Sequence, residues 1–286
     1  MVDDATRKAK VLIEALPFLK RFHHQFMVVK LGGEAIENPP VLDSLLTDLV
    51  WLEQVGVSPV LVHGAGISIT QAMERAGLKA SFHQGRRVTD EATMAIASRE
   101  IERLNAHIVS RIFDLGGAAI GMCPPRHGVV SGKILDPGLG LVGQPTGIDR
   151  ERIARYATRG LIPILPSLSV DAAGKAMNTN ADDIALAVAT GMKAEKLVFC
   201  SSVPGVLTDP KDPATLISSL TDVEVRRLVA DGTIKGGMIP KVESCLAALD
   251  AGVRKIHIVH AAQPHALLLE IFTAEGIGTE LHLAPR

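Results

Sequence analysis

A doubly wound α/β sheet, mainly parallel and open, is the fold class this sequence predicts, and three observations predict it. Short apolar runs, FMVVKL (26–31), SPVLVH (58–63), GLIPIL (160–165), EKLVFC (195–200) and RKIHIV (254–259), read as strands buried on both faces. Segments with helical spacing of apolar residues separate them, and alternation of the two types is the pattern of a sheet covered on both sides. A hydrophobic content of 47% over 286 residues supplies a sizeable core.

The first element is a helix. In ATRKAKVLIEALPFLKRF (5–22), Leu12, Ala15, Leu16, Leu19 and Phe22 share one face, and Pro17 predicts a kink. That apolar stripe needs a partner, either the rest of the chain or another subunit. After strand 26–31 comes the helical pattern VLDSLLTDLVWLEQVG, then strand 58–63, which breaks into HGAGISIT. QGRRVTD (84–90) leads into the long helix EATMAIASREIERLNAHIVSRIFDLG, with Thr89 or Asp90 as its cap. Residues 116–148 are dense in Gly and Pro and predict hairpins over one end of the sheet, a flap able to cover a substrate. IDRERIARYATRG, ADDIALAVATGM, DVEVRRLVADG and MIPKVESCLAALDAGV are the remaining helices, several closed by a glycine suited to a C-cap. No repeat or low-complexity linker divides the chain; a soft lobe boundary is expected near 191–195.

Charge and composition exclude several functions. With 30 Lys plus Arg against 31 Asp plus Glu, the net charge of −1 offers no general attraction to nucleic acid or an anionic membrane. Aromatic residues at 3% are too few for base-stacking platforms. Any anion site is therefore local. Cys123, Cys200 and Cys245 show neither a CxxC pair nor zinc-ligand spacing and are expected as buried thiols of a reducing compartment. The N-terminus MVDDATRKAK lacks a signal-peptide core, and no apolar run approaches about 18 residues, so the expectation is cytoplasmic.

Candidate chemistry sits at strand ends. GLGLVG (138–143) matches GxGxxG, but Pro145 and Gly147 follow where a helix should begin, so the dinucleotide reading fails, and no GxxxxGK[ST] occurs. Lys30 closes an apolar strand and is followed by Gly32 and Gly33, a loop of amides beside an ammonium that suits phosphate; alone, it reads better as a snorkelling strand-end lysine beside a turn. His63 to Gly66 forms a second glycine loop, with Ala65 between glycines, and KGGMIPK (235–241) a third, with Lys241 near the start of a helix. Ligands of open α/β sheets bind beyond the carboxyl ends of the strands, so these loops converge on one expected anion site. Arg87 suits a carboxylate, or a surface pair. NTNADD (178–183) sets Asn178, Asn180 and Asp182 at alternate positions entering a helix, where a plain N-cap would account for it.

Taken together, LIEALPFLKRF, VVKLGG, VLVHGAG, QGRRVTD, LGLVGQPTGID, NTNADDIALAVA, VPGVL, GGMIPKVE and PHALLLEIFTAEGIGTE occur in an order that resembles the amino acid kinase family, and within it the acetylglutamate kinases, over nearly the whole chain. The resemblance implies a three-layer αβα fold with an oligomerisation helix (1–24), an acyl-amino-acid lobe (25–192) and a nucleotide lobe (193–286). It implies transfer of the γ-phosphoryl group of ATP, bound with Mg2+ held mainly by the phosphates, to the side-chain carboxylate of N-acetyl-L-glutamate in arginine biosynthesis. By matching motifs, Lys30 and Lys241 would neutralise the transferring group and Asp182 would orient them, with no metal ligand among the side chains. Gly32, Gly33 and Gly66 would hold phosphate oxygens, and Ala65, Gly66, Arg87, Asn178 and Asn180 would bind the acceptor. Ser202, Val203, Pro204, Gly205, Val206, Leu207, Thr233, Ile234 and Lys235 would bind the nucleotide, and Glu270 and Gly278 an arginine effector. The N-terminal helix implies a homo-oligomer, dimeric or hexameric. Several positions depart from the family pattern: Ala65 for the middle glycine of HGGG, Ser202 for the acid preceding VPGVL, Arg86 for an apolar residue, and the segments PPRHG (124–128) and HAA (260–262). Those departures open two alternatives, a kinase for another acylated or carrier-linked amino acid and a catalytically weak arginine-sensing homologue.

Overall fold

The computed structural model describes residues 2–273 and 275–285, so Met1 of the expected N-terminal segment lies outside it. The chain enters through α1 (Val2–Phe22) and β1 (Phe26–Leu31), then α2 (Gly33–Ile36), α3 (Pro39–Gln54), β2 (Ser58–His63) and α4 (Gly66–Arg75). A short hairpin, β3 (Phe82–His83) and β4 (Arg86–Arg87), precedes α5 (Glu91–Asp114), β5 (Ala119–Gly121), β6 (Val130–Ile134), β7 (Val142–Ile148) and α6 (Arg150–Ala157). There follow β8 (Ile162–Pro166), β9 (Leu168–Val170), β10 (Ala176–Thr179) and α7 (Ala181–Met192). The last part holds β11 (Lys196–Ser201), β12 (Ser219–Thr221), α8 (Asp222–Ala230), α9 (Met238–Asp250), β13 (Lys255–His260), α10 (Ala266–Phe272) and β14 (Thr279–His282).

One eight-stranded sheet runs β12-β14-β13-β11-β1-β2-β8-β5 and contains all five predicted strands. From β5 through β13 the neighbours are parallel, while β14 is antiparallel to β13. After β1 the chain winds outward through β2, and it returns to the other side of β1 at β11, so the end of β1 is the switch point where an open α/β sheet leaves a crevice. The boundary between 192 and 193 falls between α7 and β11, yet β11 pairs along β1 from Met27↔Lys196 to Leu31↔Cys200. Both halves of the chain share the sheet.

Alternation along β1 decides which layer receives each side chain. Met27, Val29 and Leu31 face a core built with α3, α4, α5 and α10. Val28 faces the opposite core, built with α6, α7, α8 and α9. Lys30 has the parity of Val28 and so points to the layer of α7 and α9. Residues 116–148 do form a hairpin, β6 with β7, which closes with β9 and β10 into a small four-stranded ring. GLGLVG ends inside β7 and opens no helix, in line with its rejection as a dinucleotide motif. Glycine helix stops hold where they were predicted; Gly116 and Gly232, with φ of 83° and 77°, occupy the left-handed region that a side chain disfavours.

The helix α1 continues through Pro17 without a break, so the proline removes a hydrogen bond without ending it. Its stripe divides. Phe18 and Phe22 meet Phe272 edge-on at 6.2 and 6.1 Å, and Trp51 joins them at 5.0 Å. Leu12 and Ile13, at 70% and 68% exposure, are left without cover by this chain. The inner half of the stripe thus has its partner within the chain.

Cys200 and Cys245 are buried and Cys123 half-buried, all as free thiols. Burial pushes each thiol up to about 12, which excludes a nucleophilic thiolate at neutral pH. Beneath α1 lies a buried polar chain that the sequence reading missed. Lys196 Nζ donates to His257 Nε2 (2.6 Å), His257 Nδ1 donates to Glu270 Oε1 (2.6 Å), and Glu270 Oε2 accepts from the amides of Ile277 (2.7 Å) and Gly278 (2.9 Å). Burial lowers the pKa of His257, so the ring is neutral and carries its proton on Nδ1. Among the described residues no helix is long and apolar enough to cross a membrane.

Candidate active site

Three cavities join along the carboxyl ends of the strands. The first, about 230 Å³, is lined by Lys30, Gly33, Gly64, Ala65, Gly66, Arg86, Arg87, Asn178 and Asn180, among others. The second, about 460 Å³, shares Lys30 and Gly33 with it and adds Ser201, Ser202 and Lys241. The third, about 470 Å³, shares Ser201, Ser202 and Lys241 with the second and runs along Val203, Gly205, Val206, Leu207, Thr233, Ile234 and Lys235. Of the predicted nucleotide-side residues, Pro204 alone does not line the third cavity. The two lysines therefore stand at the two junctions of a continuous trough.

Asp182 lies between them. Its Oδ1 is 2.7 Å from Lys30 Nζ, off the hydrogen-bonding direction, so this buried oxygen has an ionic neighbour and no hydrogen-bond partner. Burial pushes the Asp182 carboxyl up, but the charges of Lys30 and Lys241 outweigh it and hold the pKa below the usual carboxylate value. Lys241, in the first turns of α9, has its ammonium 5.5 Å from the centroid of the Phe199 ring. Asp182 owes its position to Asn180, which caps α7 by accepting from the Asp182 amide at 2.7 Å. Asn180 is thus a cap and a cavity wall at once.

Gly33 and Gly66 open α2 and α4, whose first amides have no intrahelical acceptor. The Gly32 amide, by contrast, already donates to the Cys200 carbonyl at 3.4 Å. None of Gly32, Gly33, Gly64 and Gly66 is in the left-handed region. Of the four, Gly33 is the crowded one, where a Cβ would come within 3.3 Å of the Ile67 side chain, while a Cβ on Gly66 would meet nothing within 4 Å. Ala65 has φ −145° and is 2% exposed, so its methyl fits the backbone without strain and narrows the first cavity. Ala65→Gly is expected to shift the acceptor KM while moving Tm by less than about 2 °C; steady-state kinetics and thermal melts check both.

Arg87 is buried and fixed by α4, donating to the Gly66 carbonyl (2.9 Å) and Thr70 Oγ1 (2.7 Å), with its guanidinium over the Phe82 ring at 4.7 Å. Asn178 donates to Thr89 Oγ1 at 3.0 Å. Asp90, one of the two caps proposed, accepts from the Thr93 amide and starts α5. His63 is fully buried at the entry to the second loop. Asn105 Nδ2 donates to its Nε2 at 3.0 Å, so Nδ1 carries the proton and donates to the Gly64 carbonyl at 3.2 Å. Burial lowers His63 to about 4. An unfolded histidine protonates near 6.5, so between pH 6.5 and 4 the unfolded state binds the extra proton and stability falls as pH falls, by about 3 kcal/mol for this group. The expected result is a Tm that declines over that window in the wild type and declines less in His63→Gln.

Glu270 and Gly278, the proposed effector pair, are brought together at 2.9 Å, but both Glu270 oxygens are occupied from within. The sequence reading missed Phe82 and the ion pair of Arg86 with Asp183 (2.7 Å); only the charged residue at position 86 signalled it.

The sequence profile of the amino acid kinase family matches residues 25–260. The chain belongs to the amino acid kinase family. Among family members, a protein named acetylglutamate kinase from Methanothrix thermoacetophila is 41% identical over 96% of this chain and 98% of its own, and one from Synechococcus elongatus is 42% identical over 96% and 92%. The fold matches a solved N-acetylglutamate synthase from Neisseria gonorrhoeae with TM-score 0.86 at 24% identity, covering 97% of this chain and 64% of that one. A carbamate kinase from Giardia lamblia matches at 0.66 and 14% identity, covering 91% and 99%.

Proposed function

We propose that the protein transfers the γ-phosphoryl group of ATP to the side-chain carboxylate of N-acetyl-L-glutamate in arginine biosynthesis. The observation that carries this reading is identity of about 40% along nearly the full length of acetylglutamate kinases. A carboxylate with a pKa near 4 is ionised at neutral pH, so an acceptor oxygen attacks the γ-phosphorus directly while the bond to the β-bridging oxygen breaks and ADP leaves. No proton moves. The task is to bring two anions together, and cations with oriented amides do that work.

In this reading Lys30 and Lys241 neutralise the transferring group, Asp182 holds them apart and in line, and the first amides of α2 and α4, at Gly33 and Gly66, receive oxygens. Arg87 and Asn178 hold the acceptor's α-carboxylate, while Ala65 bounds its acyl group. The nucleotide lies in the third cavity and brings magnesium bound to its phosphates; among the described residues no three His, Cys, Asp or Glu side chains converge to hold a cation themselves. A cytoplasmic location, a homo-oligomer and an arginine effector complete the proposal. For the oligomer, deleting residues 1–24 would also strip Phe22 from the core, so Leu12→Glu with Ile13→Glu is the cleaner test: a smaller assembly by light scattering, with Tm held, is the expected outcome.

A hydroxamate assay of acyl phosphate formation, with ATP and a panel of acylated amino acids, tests the function. Product with N-acetyl-L-glutamate is expected. Product only with another acceptor supports the kinase for a different acylated amino acid, which Ala65 in the wall of the first cavity favours, and no product at all overturns catalysis.

A further inference from the structure

We infer that Arg86 and Asp183 form a latch that holds the β3–β4 hairpin over the acceptor cavity and sets the affinity for the acceptor, an inference that rests on the acyl-amino-acid reading of that cavity. The hairpin is a slight element. Its turn, Gln84 and Gly85, has φ of 49° and 75°, the tight two-residue geometry, and residues 81–85 are exposed. Phe82, Gly85, Arg86 and Arg87 nonetheless form one wall of the 230 Å³ cavity.

Two adjacent arginines tie this wall down in opposite directions. Arg87 binds α4 through the Gly66 carbonyl and Thr70. Arg86 binds α7, with Nη1 donating to Asp183 Oδ2 at 2.7 Å across 97 residues of sequence. Among the described residues this is the bond that joins the hairpin to α7, and Asp183 directly follows Asp182. Closing the hairpin and placing α7 are thereby coupled. Because Asp183 takes up the Arg86 charge, the second arginine adds no free cation to the cavity, and the acceptor's carboxylate is left to Arg87. Both side chains of the pair are about a quarter exposed, so the latch is weak enough to open for entry and release. Arg86 is a positioning residue, acting through the wall it holds.

The test measures KM for N-acetyl-L-glutamate and for ATP, and kcat, in Arg86→Leu, Asp183→Asn, the double variant and Arg86→Lys. In parallel, hydrogen exchange of the amides of residues 81–88 is followed in the wild type and each variant. We expect the acceptor KM to rise about three- to fivefold in each single variant, the scale of a partly exposed ion pair, with ATP KM unchanged and kcat altered less than KM. The double variant should be no worse than either single one, Arg86→Lys should keep near-normal KM, and exchange should quicken wherever the pair is broken. Unchanged acceptor KM and unchanged exchange in the single variants would overturn the latch, as would additive losses in the double. If the wild type phosphorylates no acylated amino acid, the functional reading fails by itself, and the exchange measurement still decides whether the pair holds the hairpin.

Discussion

Lys30→Ala is expected to lower kcat at least tenfold, and by on the order of a hundredfold if its ammonium is worth what a preorganised donor usually contributes. Lys30 closes β1 at the switch point, faces the layer of α7 and α9, and lines both the acceptor-side cavity and the one beside it. Without it, the acceptor carboxylate and the γ-phosphoryl group repel at close range, and Asp182 adds a third negative charge that nothing on that side balances. Lys241→Ala should show the same direction of change, since it stands at the nucleotide-side junction. The measurement is kcat at saturating ATP and acceptor. Near-normal turnover in both variants would sink the assignment.

Glu270→Ala is expected to cost about 3 kcal/mol of stability, the largest loss foreseen from a single polar substitution. The change strands the His257 Nδ1 proton and the Gly278 amide in a buried region and leaves the half-buried Ile277 amide without its acceptor. Burial drives Glu270 upward, yet its bonds to His257 and the two amides prevail and its pKa lies below the usual value. A carboxyl depressed in this way stabilises the fold fully above its unfolded pKa and loses that contribution as pH falls through the folded value. Chemical denaturation at neutral pH should therefore show a large loss for Glu270→Ala, and acid should narrow the gap between variant and wild type. An equal stability at neutral pH would show that the chain from Lys196 to Gly278 is not structural.

How much was legible depended on the range of the interaction. Strands 26–31 and 58–63 announced themselves because a strand buried on both faces has to be apolar throughout, and the helices between them carry their own periodicity and stops. The edge strand β12 and its neighbour β14, of three and four residues, gave no such run and were not foreseen. Lys30, Gly33, Gly66 and Lys241 stood out in the sequence because glycine near lysine in a loop suits an anion, and the structure brings them to one trough. Arg86 with Asp183, and His257 with Glu270 and Lys196, were hidden because each is an ordinary surface residue type until the fold buries or pairs it. A methyl at position 65 between two glycines could mean backbone strain or a narrowed cavity, and φ of −145° excludes the strain of a positive φ.

The carboxylate of Asp182 beside Lys30 has a consequence for the resting enzyme. Two unopposed ammonium groups in a trough would collect any small anion the cell offers, and orthophosphate at millimolar concentration would occupy the site between turnovers. An anion tethered permanently at 2.7 Å from the lysine competes at an effective concentration that no dilute ion matches. Only a ligand that adds further anchors, as the proposed nucleotide would along the third cavity, can share the lysine with it. Free phosphate should therefore be a poor inhibitor of the idle protein until Asp182 is replaced by Asn.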